Sequence, residues 1–300
     1  MDRRSAVTSL GAAAVAAMIA TGDTRADTRT TETAKMARGP RPSFVETRDG
    51  ASLFYNDWGI GKPVLFTHAW GLNADIWEYQ LTELVDRGLR CIAYDRRGHG
   101  RSTDPGRGYD YDMLADDLAA VIDQLDLHDV TLVGYSMGNG EAVRYLSRHG
   151  SAGIARLVMV GTIGPEPDSS LFGEFIAGLK QDRPAFFASG VTAFTGGHPA
   201  VSPAMAQWVV AQFMRASPKA TIECTRANLS GDFRADIQAV ALPTLIVHGD
   251  KDQVNPLEKT AKKAAQLIPG CELRVYEDAP HGLVITHRER LARDILAFAR

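Results

Sequence analysis

The pentapeptide Gly134-Tyr135-Ser136-Met137-Gly138 places the tightest restriction on how this chain can fold. It follows the apolar run Val130-Thr131-Leu132-Val133 and precedes a helix-like stretch over residues 139–148. A G-x-S-x-G sequence between a strand and a helix reads as a nucleophile elbow, a sharp turn that lifts a serine hydroxyl out of the sheet edge. Such a turn leaves little room for Cβ atoms, so Gly134 and Gly138 are the residues that let strand and helix pass closely. The helix that begins here aims free N–H groups at whatever the serine attacks.

The segments around the elbow alternate between strand and helix. Residues 44–47 and 53–58, separated by Arg48-Asp49-Gly50, read as a β-hairpin, and Val64-Leu65-Phe66 as a strand buried on both faces. A helix over 74–86 buries Ile76, Trp77, Leu81, Leu84 and Val85, and Cys91-Ile92-Ala93-Tyr94 forms the next strand. Over 109–125, Met113, Leu114, Leu118, Val121, Ile122 and Leu125 recur at helical spacing, which assigns Asp116, Asp117 and Asp123 to a solvated face. Residues 154–160 make a sixth strand. This order predicts an α/β fold with a mainly parallel sheet and right-handed crossovers.

The alternation stops over residues 165–241, where helical patches, prolines and aromatic residues replace buried strands. That stretch is expected to be a helical cap inserted after the sixth strand. The pattern resumes with Thr244-Leu245-Ile246-Val247, a helix over 256–267, the strand Leu273-Arg274-Val275-Tyr276 and a last helix over 288–298. Residues 43–300 are therefore expected to form one domain with its cap.

Residues 1–26 read as an address. Arg3 and Arg4 precede an alanine-rich apolar segment and a small-residue cleavage site ending at Ala26, which resembles a twin-arginine export signal and implies export to the periplasm or beyond, the alternative being a disordered tail on a cytoplasmic protein. The segment is too short for stable membrane insertion. Residues 27–42 read as a flexible linker. A formal net charge of -3 gives no reason to expect nucleic acid or an anionic membrane as partner. Cys91, Cys224 and Cys271 are scattered, so no zinc, haem or disulfide pattern is present.

A serine hydroxyl attacks only when a base takes its proton, and that base needs an acceptor on its far nitrogen. On this strand order the acid and then the histidine should follow the serine, each on a loop after a strand. The loop His248-Gly249-Asp250-Lys251-Asp252-Gln253-Val254 offers Asp252 as the acid, with Asp250 as its nearest rival, and Glu277-Asp278-Ala279-Pro280-His281-Gly282 offers His281 as the base. Reading Asp252 only as a helix cap near Pro256 would leave His281 without an orienter. His128, His149, His198 and His287 lack such a context, His68 and His248 at strand ends read as structural, and His99 as a loop brace. A developing oxyanion needs fixed donors; the Met137 N–H supplies one and the Trp70 N–H, in Thr67-His68-Ala69-Trp70-Gly71-Leu72, the other.

With these residues in place the chain resembles an α/β-hydrolase, and within that fold the cofactor-free bacterial haloperoxidase and arylesterase branch. The resemblance rests on Thr67-His68-Ala69-Trp70-Gly71-Leu72-Asn73-Ala74-Asp75, Tyr94-Asp95-Arg96-Arg97-Gly98-His99-Gly100-Arg101-Ser102, the elbow with its strand, and Ala279-Pro280-His281-Gly282-Leu283. It implies a serine esterase acting on small-molecule esters without haem, metal or other cofactor, in a family whose members often form homo-oligomers. It also implies a second activity, formation of peracids from carboxylic acids and hydrogen peroxide. Ala69 stands where such proteins usually carry Gly, and Gly71 where peracid-forming members often carry Pro; Gly71 is expected to loosen the loop. A reading from another class is a non-catalytic ligand receptor on the same fold.

Overall fold

The computed structural model describes residues 43–170 and 172–300. The export signal and linker read over residues 1–42 lie outside the described residues. The chain runs β1 (Phe44–Glu46), β2 (Ser52–Trp58), β3 (Pro63–Thr67), α1 (Glu78–Asp86), β4 (Arg90–Tyr94), α2 (Tyr111–Gln124), β5 (Val130–Tyr135), α3 (Met137–His149) and β6 (Ile154–Val160). Five helices follow, α4 (Phe172–Gln181), α5 (Arg183–Thr195), α6 (Pro203–Met214), α7 (Pro218–Ser230) and α8 (Arg234–Gln238). Then come β7 (Thr244–Gly249), α9 (Ala261–Leu267), β8 (Glu272–Tyr276), α10 (Leu283–Thr286) and α11 (Arg288–Ala299).

The eight strands form one sheet in the order β1-β2-β4-β3-β5-β6-β7-β8. β1 and β2 make the antiparallel hairpin, with Val45 opposite Leu53, and β2 joins β4 antiparallel with Trp58 opposite Cys91. From β4 to β8 every pairing is parallel. Strand order reverses at β3, which lies between β4 and β5. Crevices open outside the carboxyl ends of strands at such a reversal. The loop after β3 and the turn after β5 are therefore neighbours.

The period-2 alternation of the buried strands sends side chains into two cores. Leu65, Ile92 and Leu132 pack with Leu114, Leu118 and Val121 of α2 and with Ala142 and Val143 of α3. Val64, Phe66, Ala93 and Val133 pack on the other face with Leu81 and Leu84 of α1 and Leu291 and Ile295 of α11. Each fully buried aliphatic side chain contributes about 1.5–3 kcal/mol.

Three local readings differ from the structure. Asp117 is buried, not solvated, and grips Arg97 through two contacts of 2.6 Å, while Arg97 also reaches Asp49 at 3.0 Å. The face of α2 that carries Asp117 is covered by the loop after β4. The helix over 74–86 opens as a 3-10 turn, Ala74–Trp77, capped by the Asn73 side chain before α1 begins. The helix after the acid loop starts at Ala261 rather than at Pro256, because the Asn255 carbonyl and amide are engaged by His248 and Gly161.

Candidate active site

Ser136 occupies the turn between β5 and α3 with φ 52° and ψ -119°, a conformation that L-residues rarely adopt. Crowding on both sides holds it there. A Cβ on Gly134 would lie 2.7 Å from Asn139 Oδ1, and one on Gly138 would lie 2.4 Å from Thr67 Oγ1. The Ser136 N–H donates to the Val160 carbonyl at 2.9 Å, which pins the turn to the neighbouring strand.

His281 Nε2 lies 3.0 Å from Ser136 Oγ, and His281 Nδ1 lies 2.7 Å from Asp252 Oδ2. The structure thus brings Ser136, His281 and Asp252 into one hydrogen-bonded line, all three buried. With Asp252 ionised, Nδ1 carries the proton and Nε2 faces the hydroxyl. The ring of His281 is packed by Tyr135 at 5.4 Å between centroids and by Phe194 at 5.9 Å, and the Tyr135 hydroxyl donates to the His281 carbonyl at 2.9 Å. Asp250, the rival acid, is exposed.

Asp252 is heavily solvated by protein donors. Its Oδ1 accepts the N–H groups of Val254 at 2.9 Å and Asn255 at 2.7 Å. His248, read from sequence as structural, places Nε2 3.4 Å from Oδ2 while donating to the Asn255 carbonyl at 2.7 Å, and its Nδ1 accepts the Thr162 N–H at 3.1 Å. Burial pushes the Asp252 carboxyl up, but the attraction and hydrogen bond of His281, helped by His248 and the Asn255 N–H, outweigh it and hold the carboxyl below its ordinary value. Burial pushes His248 below its ordinary value, against the pull of the Asp252 carboxylate. Sequence alone gave no sign of this second histidine on the acid beyond its place four residues earlier.

Met137 is the first residue of α3, so its N–H has no partner within the helix. Trp70 sits in a turn closed by the Leu72 N–H on the Ala69 carbonyl at 3.3 Å. Gly71 takes φ +69° in that turn, and a Cβ there would lie 2.7 Å from Phe213 Cδ1. Gly71 therefore fixes the loop's path rather than loosening it, since Pro is confined to negative φ. The two donor segments are stitched by Thr67 Oγ1, which donates to the Gly138 carbonyl at 3.0 Å. The Trp70 indole donates to the Thr221 carbonyl at 3.0 Å and its rings stand 5.8 to 6.0 Å from Phe175, Phe187 and Phe213.

A groove of about 560 Å³ opens beside the acid loop, lined by Ile163, Asn228, Val254, Asn255 and Lys259 among others. Ser136 and His281 do not line it, so the geometry of the hydrogen-bonded line, not the size of this groove, locates the site. Among the described residues no three His, Cys, Asp or Glu side chains converge as they would around a metal ion, and no helix is long and apolar enough to cross a membrane.

Residues 62–198 match the family model of the alpha/beta hydrolase fold. A non-heme chloroperoxidase of Kitasatospora aureofaciens is 41% identical over 269 residues, covering 84% of this chain and 97% of its own. Two solved structures superpose closely. A bromoperoxidase from Bacillus anthracis gives a TM-score of 0.82 at 36% identity over 85% of this chain and 98% of its own. An esterase from Exiguobacterium antarcticum gives 0.83 at 33% identity over 86% and 99%. The chain belongs to the α/β-hydrolase fold family, as an enzyme of the branch that holds the bacterial non-heme haloperoxidases and their esterase relatives.

Proposed function

We propose that the protein is a carboxylic ester hydrolase that works through an acyl-enzyme on Ser136. The observation that carries this reading is the line from Ser136 Oγ through His281 to Asp252, at 3.0 and 2.7 Å. His281 Nε2 takes the hydroxyl proton as Oγ bonds to the ester carbonyl carbon, and Asp252 stabilises the imidazolium that forms. The N–H groups of Met137 and Trp70 receive the oxyanion. Collapse breaks the bond to the alcohol, which leaves with the proton from His281. Water, deprotonated by the same histidine, then releases the acid and restores Ser136.

The wall of Trp70, Phe187 and Phe213, continued by Phe194 against His281, suits an acyl or aryl group of modest size held by apolar contact. A second reading, favoured by the haloperoxidase names of the relatives, is perhydrolysis. A carboxylic acid acylates Ser136 with loss of water, hydrogen peroxide takes the acyl group, and peracid leaves.

The test is a panel of p-nitrophenyl esters run on the protein and on Ser136→Ala, with peroxide-dependent peracid formation assayed in parallel. Serine-dependent hydrolysis without peracid supports the esterase. Comparable peracid formation favours the perhydrolase, and inactivity of the unaltered protein in both assays contradicts both readings.

A further inference from the structure

The run Tyr94-Asp95-Arg96-Arg97-Gly98-His99-Gly100-Arg101-Ser102 takes no part in the mechanism above, yet it sends a guanidinium beneath the site. Arg96 and Glu141 are both buried. Arg96 Nε and Nη2 donate to Glu141 Oε2 at 2.9 and 2.7 Å, and Nη2 also donates to the His68 carbonyl at 2.7 Å. The Arg96 main-chain N–H donates to His68 Nε2 at 2.9 Å. That nitrogen is therefore an acceptor, the ring proton sits on Nδ1, and Nδ1 donates to the Ala69 carbonyl at 2.8 Å. Burial and the neighbouring Arg96 charge push His68 well below its ordinary value, which keeps the ring neutral in this role.

Such a pair is a poor way to gain stability. Removing two charges from water is costly, and apolar residues of similar volume often replace a buried pair at no loss. Glu141 Oε1 has no hydrogen-bond partner among the described residues, so the carboxylate is not even fully satisfied. What the pair does supply is a connection. Glu141 lies on α3 four residues after Met137, on the same helical face. Through Arg96 it reaches the carbonyl and ring of His68, and through that ring the Ala69 carbonyl, whose peptide carries the Trp70 N–H. The two donors come from separate segments, and Thr67 ties the loop only at its base.

We propose that the buried Arg96–Glu141 pair, acting through His68, is a positioning strut that fixes the Trp70 N–H relative to the Met137 N–H. Neither residue touches substrate. The inference rests on the serine-hydrolase reading, and it assigns to the Arg96 motif the task of holding an oxyanion hole whose halves lie on β3 and α3 sides of the switch point.

Two variants separate positioning from folding. Glu141→Gln keeps the shape and removes the charge, and the double variant Arg96→Met with Glu141→Leu exchanges the pair for apolar volume. Steady-state hydrolysis of a short-chain p-nitrophenyl ester gives kcat and KM, and phenylboronic acid, whose tetrahedral serine adduct sets an oxygen among the oxyanion donors, gives a Ki. Urea midpoints report the fold. The strut predicts that folded variants lose kcat by about 10- to 100-fold, keep KM within about twofold, and weaken boronate by a similar factor to the kcat loss. Folded variants with unchanged kcat, or with kcat lost but boronate affinity kept, overturn the proposal alone. Absence of Ser136-dependent turnover in the unaltered protein overturns the hydrolase reading and the strut with it.

Discussion

The carbonyl oxygen of Ala279 stands 2.0 Å from where a Cβ on Gly249 would fall. Gly249 ends β7 just before the acid loop, and Ala279 lies two residues before His281. The same carbonyl accepts the Lys251 N–H at 3.0 Å, and the Asp250 N–H donates to the Tyr276 carbonyl at 3.0 Å. The loops that carry Asp252 and His281 are thus packed backbone against backbone, and the two side chains stand 2.7 Å apart across them.

Gly249→Ala is expected to force the two loops apart, because the obstructing atoms are main chain and cannot rotate away. Overpacking of this kind costs about 1–3 kcal/mol. Urea unfolding should show the loss, and kcat should fall further than KM rises as His281 moves from Asp252.

Gly71→Pro is expected to abolish the turn that presents the Trp70 N–H, since φ +69° is closed to proline and the ring would strike Phe213. Gly71→Ala keeps the chain free to stay but meets the same ring and a positive φ, at about 1–2 kcal/mol for the conformation alone. Ester hydrolysis should fall in the order native, Ala, Pro, with thermal unfolding following the same order.

Asp252→Asn should lower kcat by up to about 10⁴-fold, the scale seen when the base loses its charged orienter. It also carries a pH signature. The carboxyl is held below its ordinary value in the folded protein, so its contribution to stability is present above the unfolded value of about 3.9 and is lost as pH falls through the folded one. Unfolding free energies measured from neutral pH downward should show native and Asp252→Asn converging below about pH 4.

Much of this was legible in the sequence for physical reasons. The elbow, the buried strands and the helical period of α2 are local patterns, and local sterics decide them. Asp252 and His281 were placed by chain order and by loops that follow strands. The Arg96–Glu141 pair and the contact of His248 with Asp252 were not legible, because buried charges are recognised by their partners and those partners lie far along the chain. Asp117 shows the same limit, since its spacing on α2 points to solvent while the loop after β4 brings Arg97 over it. The role of Gly71 escapes the sequence for a different reason, as the sign of its φ belongs to the Ala69–Leu72 turn and the Phe213 ring beside it.

The cysteines should divide by exposure. Burial pushes the Cys91 and Cys224 thiols up to about 12, whereas Cys271 is only partly buried and less shifted. Ellman's reagent at pH 8 should titrate no more than Cys271 in the folded protein and all three after unfolding.

The most direct test of the central claim is covalent labelling with a fluorophosphonate, read by mass spectrometry, on the native chain and on Ser136→Ala with circular dichroism confirming the fold. A single adduct on Ser136, absent from the folded variant, is the predicted result. Labelling that persists in Ser136→Ala, or a native protein that takes no label, would contradict the assignment of Ser136 as the nucleophile.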